Sequence, residues 1–200
     1  MLNNPHEHAF VTHPFILFSS LFNKDELTII SNYCNSLETE IASIGGNIEN
    51  DIAKYTRTSI VSWVYPNSES EWFYNKISNK IDDINNLYYN FEIYGYEYMQ
   101  YAYYNSYDGG NYKMHMDLLL GPHPPNASSL TRKLSASILI NDNFNGGELE
   151  FTYGKKYSEK VSMKSGDLIV FPSYMMHQVN TVTQGIRNSL VVWCLGPKFK

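Results

Sequence analysis

The stretch "YKMHMDLLL", Tyr112 to Leu120, sets His115 and Asp117 one residue apart in an apolar run flanked by aromatic residues. In an extended chain, residues i and i+2 leave the backbone on the same face. An imidazole and a carboxylate side by side on a strand can share a metal ion. The reading of the fold therefore turns on two questions: whether the rest of the chain is built of strands, and whether another ligand reaches the same point.

From Phe91 onward the pattern is β. The runs "FEIYGYEYMQYAYY", "NYKMHMDLL", "KLSASILIN", "ELEFTY", "KVSM", "DLIVFP", "MHQVNTVT" and "SLVVWCLG" alternate with the turn signals "DGGN", "NDNFNGG", "YGKK", "KSGD" and "TQGIRN". About eight strands at regular spacing, with no helix between them, predict a sandwich or jelly roll. The helices lie upstream. "NKDELTIISNYCNSL" opens with Asn23 as N-cap and Glu26 three residues later, and Leu27, Ile30, Cys34 and Leu37 form an apolar stripe. "SESEWFYNKISNKIDDINNLYY" predicts a second helix with Phe73, Ile77, Ile81, Ile84 and Tyr88 on one face. Between the two, "RTSIVSWV" (Arg57–Val64) reads as a strand.

Two hundred residues without an internal repeat or low-complexity linker suit one domain. The expected division is helical support over about 1–90 and a β core over about 91–196. A net charge of -5 and the lack of any Lys/Arg block give no support to non-specific binding of nucleic acid or anionic membranes. Cys34 and Cys194 stand in unlike contexts, so two buried free thiols are expected rather than a disulfide. The start, "MLNNPHEHAF", lacks the basic and apolar regions of a signal peptide, and "FILFSSLF" is short of the roughly 20 apolar residues that span a bilayer. A cytoplasmic location is the expectation.

Among six histidines, His6, His8 and His13 fall near the terminus and His123 in the Pro-rich "GPHPPNASS". His177 opens a strand directly after "DLIVFPSYMM", at the mouth of a sandwich. Two imidazoles and a carboxylate on adjacent strands form the facial triad that holds non-haem Fe(II) and leaves positions open. His115, Asp117 and His177 would be that set. Arg187, one of three arginines, lies ten residues beyond His177. A hairpin turning at Gln184-Gly185 is expected to bring it back beside the histidine strand. Its five-donor fork suits a carboxylate, and Ser189 on the same face could add a hydroxyl. The HExxH spacing of zinc hydrolases is absent.

In this order the residues resemble the Fe(II)/2-oxoglutarate-dependent oxygenases, and more closely the prolyl 4-hydroxylase-like branch with its PKHD-type hydroxylases. The likeness runs from about Tyr101 to Trp193 and covers nearly half the chain. "YYNSYDGGNYKMHMD" is similar to the family's Tyr-rich strand before the first ligand, with two more residues between Tyr and His. "RKLSASILIN" resembles the Arg-x-x-Leu-Ser-Ala strand, "NGGELEF" the Gly-Gly-Glu-Leu signature, and "KSGDLIVFPSYMMHQV" the segment leading to the second histidine. "GIRNSLVVW" is similar to the Gly-x-Arg-x-Ser strand, with Trp193 in place, and "RTSIVSWV" to an upstream Arg-x-Ser strand.

The resemblance implies a double-stranded β-helix, one Fe(II) and 2-oxoglutarate as co-substrate. In the family the 2-oxo acid chelates iron through its C1 carboxylate and keto oxygen. Its C5 carboxylate pairs with the residue matching Arg187, helped by a hydroxyl for which Tyr104, Tyr112 and Ser189 are candidates; Ser137 is a further candidate cofactor contact. The implied reaction consumes O2, hydroxylates a C–H bond and yields succinate and CO2, with ascorbate as a supporting reductant. The branch favours a prolyl residue of a peptide or protein, and "LLLGPHPPNASSLTR" (Leu118–Arg132) is expected to border the entrance as a lid. Other superfamily members act on free amino acids, small metabolites or nucleic-acid bases; the acidic charge counts against the last. A module that binds metal and 2-oxo acid without turnover is the alternative of a different class.

Overall fold

A computed structural model describes residues 13–42, 56–118, 130–153 and 157–199. Strand β1 (Ile16–Phe18), helix α1 (Lys24–Asn35), strands β2 (Glu40–Ile41), β3 (Arg57–Thr58) and β4 (Ile60–Val64), and helix α2 (Glu71–Ile84) come first. Then follow β5 (Gly95–Tyr96), β6 (Met99–Asn105), β7 (Asn111–His115), β8 (Leu130–Leu139), β9 (Asn145–Gly146) and β10 (Leu149–Tyr153). The last five are β11 (Tyr157–Val161), β12 (Leu168–Pro172), β13 (Met176–Val179), β14 (Val182–Gln184) and β15 (Ile186–Pro197).

The larger sheet runs β1-β12-β8-β15-β6-β4-β2, with β5 alongside β15. The smaller runs β11-β10-β13-β7-β3, and β14 pairs with β9. The molecule is thus a double-stranded β-helix backed by helices, as the family likeness implies. Period-two alternation explains its three layers. On β8, Leu134, Ala136 and Ile138 join Phe73, Ile77 and Ile81 of α2 and Ile30 of α1 in a core on the helical side. From the opposite face of the larger sheet, Ala102, Tyr104, Ile169 and Phe171 meet Leu149, Phe151 and Val179 of the smaller sheet in a second core. Cys34 and Cys194 both lie in the helical-side core as free thiols. Burial pushes the Cys34 thiol up to about 12 and raises that of Cys194 as well.

Helix α1 starts on the expected capping box. The Asn23 side chain accepts from the Glu26 N–H at 3.0 Å, and the Glu26 carboxylate accepts from the Asn23 N–H at 2.9 Å. The stripe on α2 holds through Ile84, but Tyr88 departs from it. The helix widens into a π-helical turn over Asn85–Tyr89, which shifts the facing by one residue. Tyr89 therefore packs on the core, and Tyr88 is 46% exposed. Three expected single strands are also divided. "RTSIVSWV" breaks at Ser59, sending β3 to the smaller sheet and β4 to the larger. "MHQVNTVT" becomes β13 and β14 in separate sheets, and "FEIYGYEYMQYAYY" becomes β5 and β6. The first two breaks carry the chain from one sheet to another around a corner of the sandwich, whereas β5 and β6 both pair with β15 in the larger sheet. Among the described residues no helix is long and apolar enough to cross a membrane.

The joint between helices and sheet rests on residues such as Ile77, which has no exposed surface. Ile77→Ala should lower stability by about 2–5 kcal/mol. Urea unfolding followed by circular dichroism should show this as a lower midpoint with an unchanged slope.

Candidate functional site

Strands β7 and β13 are neighbours in the smaller sheet, and their register sets His115 opposite His177. The ring centroids lie 4.2 Å apart. Each Nδ1 faces a main-chain carbonyl two residues upstream: His115 that of Lys113 at 2.8 Å, His177 that of Met175 at 2.9 Å. A carbonyl can only accept, so the proton sits on Nδ1 and each Nε2 keeps its lone pair for a metal.

Asp117 reaches the same point by a different route from the one the strand pattern suggests. Strand β7 ends at His115, so Asp117 is not on a continuing strand face. It lies in a bend where the N–H groups of Asp117 and Leu118 both donate to the Ser173 carbonyl at 2.9 Å. That bend turns the carboxylate back over the histidines. Its Oδ1 is 3.5 Å from His115 Nε2 and its Oδ2 is 3.7 Å from His177 Nε2. One ligand atom from each of the three residues falls within 4.8 Å of the others.

The electrostatics favour the ligand forms. Burial would raise the Asp117 carboxyl, but the adjacent imidazoles of His177 and His115 outweigh it and hold it below the usual carboxylate range. Burial lowers His177, with Asp117 pulling the other way. An ionised carboxylate beside a neutral imidazole is the state a divalent ion needs.

Arg187 comes from the other sheet. The expected hairpin does not form: β14 pairs with β9, and at Gly185, with φ of 78°, the chain crosses into β15 of the larger sheet. Arg187 therefore faces the histidines across the sandwich instead of lying beside them. It is 2% exposed, donates from Nη1 to Ser189 Oγ at 3.0 Å, and has its guanidinium 5.6 Å from the centre of the Tyr104 ring. No carboxylate pairs with it among the described residues. Burial lowers its pKa, partly opposed by Tyr104. Gly147, with φ of 66°, is packed closely: a Cβ there would stand 2.9 Å from Val182 Cγ2 and 3.0 Å from Arg187 Cδ. The left-handed backbone and this crowding together favour glycine in the "NGG" turn.

One pocket is lined by the three metal-capable residues and by Arg187, and it also includes the other four candidates, Tyr104, Tyr112, Ser137 and Ser189. Tyr112 stacks on His115 with centroids 3.5 Å apart, and burial, foremost among its causes, pushes its hydroxyl up to about 12. Between Tyr104 and His115 the chain makes a three-residue 3-10 turn, Ser106–Asp108, closed by left-handed Gly109. His13 meets Tyr88 edge-on at 5.3 Å and does not line the pocket. His6, His8, His123 and most of the expected lid lie outside the described residues.

Three pocket walls had little or no sequence signal. Arg57 donates to Ser59 Oγ at 2.7 Å and to Gln100 Oε1 at 2.9 Å, with its guanidinium 4.7 Å above the Tyr112 ring. The Arg-x-Ser spacing hinted at the first contact; nothing local pointed to Gln100. Trp193 presents a buried Nε1 with no partner among the described residues. The Arg132 guanidinium lies 4.0 Å over its ring while Arg132 Nε and Nη2 bind both oxygens of Glu97, at 2.7 and 2.6 Å.

Residues 99–195 match the family model described as the 2OG-Fe(II) oxygenase superfamily. A PKHD-type hydroxylase of Psychrobacter sp. (strain PRwf-1) is 35% identical over 88 residues, which cover 42% of this chain and 33% of that protein. The chain thus matches about a third of that curated relative's length. Among solved structures, a Pseudomonas putida prolyl-4-hydroxylase superposes with a TM-score of 0.73 at 18% identity, covering 92% of this chain and 94% of the other. A prolyl hydroxylase from Trichoplax adhaerens, solved with a peptide fragment of the hypoxia inducible factor oxygen degradation domain, gives 0.72 at 17% identity, covering 92% and 84%. These two likenesses concern the fold.

The donor set has a consequence measurable without turnover. Calorimetric titration with a divalent first-row metal should give one ion per chain. Asp117→Ala or His177→Ala should weaken binding by more than the roughly 10–100-fold that removal of an outer-sphere partner costs.

Proposed function

We propose that the chain, whose residues 99–195 match the 2OG-Fe(II) oxygenase superfamily model, is an Fe(II)- and 2-oxoglutarate-dependent hydroxylase. We read its target as a prolyl C–H bond in a peptide or protein, and the chain as a single catalytic unit. The observation that carries this reading is the buried guanidinium of Arg187, with no carboxylate partner among the described residues, in the same pocket as a His-Asp-His cluster. A buried cation of this kind calls for an anion. A metal trio with open positions calls for a chelating group. A 2-oxo dicarboxylic acid is both at once.

In this reading His115, Asp117 and His177 hold the iron, and Arg187 with Ser189 holds the C5 carboxylate of 2-oxoglutarate. Bound Fe(II), supplied with 2-oxoglutarate and O2, provides the oxidising chemistry for hydroxylation, with succinate and CO2 as co-products. The chain's own work is positional. The carbonyls of Lys113 and Met175 keep both Nε2 atoms turned to the metal. The Tyr104 ring and Ser189 fix the guanidinium, so the co-substrate meets an oriented fork. Tyr112 keeps its hydroxyl proton at neutral pH and so can donate a hydrogen bond into the pocket. The prolyl preference is supported by the fold shared with the Pseudomonas putida prolyl-4-hydroxylase and with the Trichoplax prolyl hydroxylase solved with a peptide.

Anaerobic addition of Fe(II) and 2-oxoglutarate to metal-free protein should produce a weak visible charge-transfer band. Asp117→Ala should abolish it. Arg187→Ala should raise the 2-oxoglutarate needed for half-saturation by the equivalent of about 2–5 kcal/mol, the cost of removing one member of a buried charged pair. On admission of O2, prolyl peptides should release succinate and gain the mass of one oxygen atom. A band without any succinate release would favour the non-catalytic binding module, and no band at saturation would sink the hydroxylase reading.

A further inference from the structure

We infer that Trp63, Tyr65 and Tyr98, which line one groove at the sheet edge beside the pocket, dock a proline-rich, non-acidic stretch of the polypeptide to be modified. The inference rests on the hydroxylase reading and deepens it. It names a second place where the substrate is gripped, away from the reacting residue.

Strand alternation fixes where Trp63 points. Val64 and Met99 are opposite each other in the sheet and both are buried in the helical-side core. Their strand neighbours Trp63 and Gln100 therefore project from the other face, while Tyr65 and Tyr98 stand just past the ends of β4 and β6. Gln100 lines the pocket, and Trp63 sits opposite Gln100 in the register. On the other flank, the Glu97 N–H donates to the carbonyl of Trp193, a pocket wall, at 2.9 Å. The aromatic strip is thus continuous with the pocket through Gln100 on one side and Trp193 on the other.

The strip is open and preset. Tyr65 and Tyr98 are 53% and 55% exposed, and their rings meet at 4.6 Å and 64°. Neither hydroxyl has a partner among the described residues. Trp63 is held by its Nε1–H, which donates to Glu40 Oε1 at 2.7 Å. Together with Tyr96, anchored by its hydroxyl to Asp82 of α2, and Glu97, these rings line a groove of about 430 Å³. Aromatic rings fixed at an angle form slots for the pyrrolidine rings of a polyproline II segment, which is itself already ordered and loses little entropy on docking.

Charge narrows the occupant further. Glu97 is already matched by Arg132, but Glu40 has no cation beside it among the described residues. No Lys or Arg lines the groove. An acidic segment would be repelled here, and a lysine-flanked one favoured.

The test uses a fluorescent lysine-flanked oligoproline peptide, read by anisotropy on the anaerobic protein loaded with Fe(II) and 2-oxoglutarate. The wild type should bind it, and more tightly than a glutamate-flanked peptide. Tyr65→Ala/Tyr98→Ala should weaken binding about ten-fold, a loss of about 1.4 kcal/mol. The charge-transfer band and its 2-oxoglutarate dependence should stay as in the wild type, which shows that the variant is folded with its pocket intact. Equal binding to both proteins, or no binding by the wild type, overturns the inference. So does a dimer in sedimentation that the double variant dissolves, since the strip would then face a second copy. Tyr-dependent peptide binding in a protein that forms no band would leave the docking strip standing and the hydroxylase reading fallen.

Discussion

The buried charge of Arg187 is the interaction on which the rest is arranged. A guanidinium withdrawn from water between two sheets loses hydration that one serine hydroxyl and one aromatic face do not replace. Its place on β15, beside β6 and β8 in the larger sheet, means that much of the fold's pairing goes into holding it there. Gly147 is packed closely beside it, and the Gly185 crossing delivers it to the far wall. A site in this condition is electrostatically unfinished. Any dicarboxylate that completes it should also stabilise the fold, because it binds the native chain and not the unfolded one.

The two sheets divide the chemistry between them. The smaller carries both histidines and reaches Asp117 at the end of β7; the larger carries Arg187. The distance between the His-Asp-His cluster and the guanidinium is therefore set by sheet-to-sheet packing, not by a local motif. Facing sheets in proteins stand about 10 Å apart with interdigitated side chains. The second core, with Phe151, Phe171 and Leu149, thus acts as the spacer that sets the length of ligand the pocket takes. Repacking it would act on the co-substrate without touching a ligand residue.

Local features were the most legible in the sequence. The capping box before α1, the α2 stripe through Ile84, and the four residues His115, Asp117, His177 and Arg187 were all readable from residue type and spacing, the last four helped by the family likeness. What escaped was set by distance through space. Asp117 was expected on a strand face, yet a hydrogen bond to Ser173, 56 positions away, turns it there. Arg187 was expected beside His177, but the corner at Gly185 sends it across. Gln100 meets Arg57 only because β3 and β6 lie near each other in the folded sheets. Spacing along the chain shows which groups exist. Which wall each one stands on is decided by long-range pairing that no local window contains.

Cys34 and Cys194 lie behind the larger sheet, in the helical-side core, with the sheet between them and the pocket. Oxidants attack the thiolate, and burial keeps both groups protonated at physiological pH. In the proposed reaction, dioxygen chemistry at the metal site would expose the protein to its own by-products whenever turnover misfires. This fold places its two most oxidisable sulfurs on the sheltered side of a β-layer, in their least reactive form. Damage from misfired turnover should therefore accumulate first on the pocket's own rings and imidazoles, and the scaffold that holds them should outlast the site.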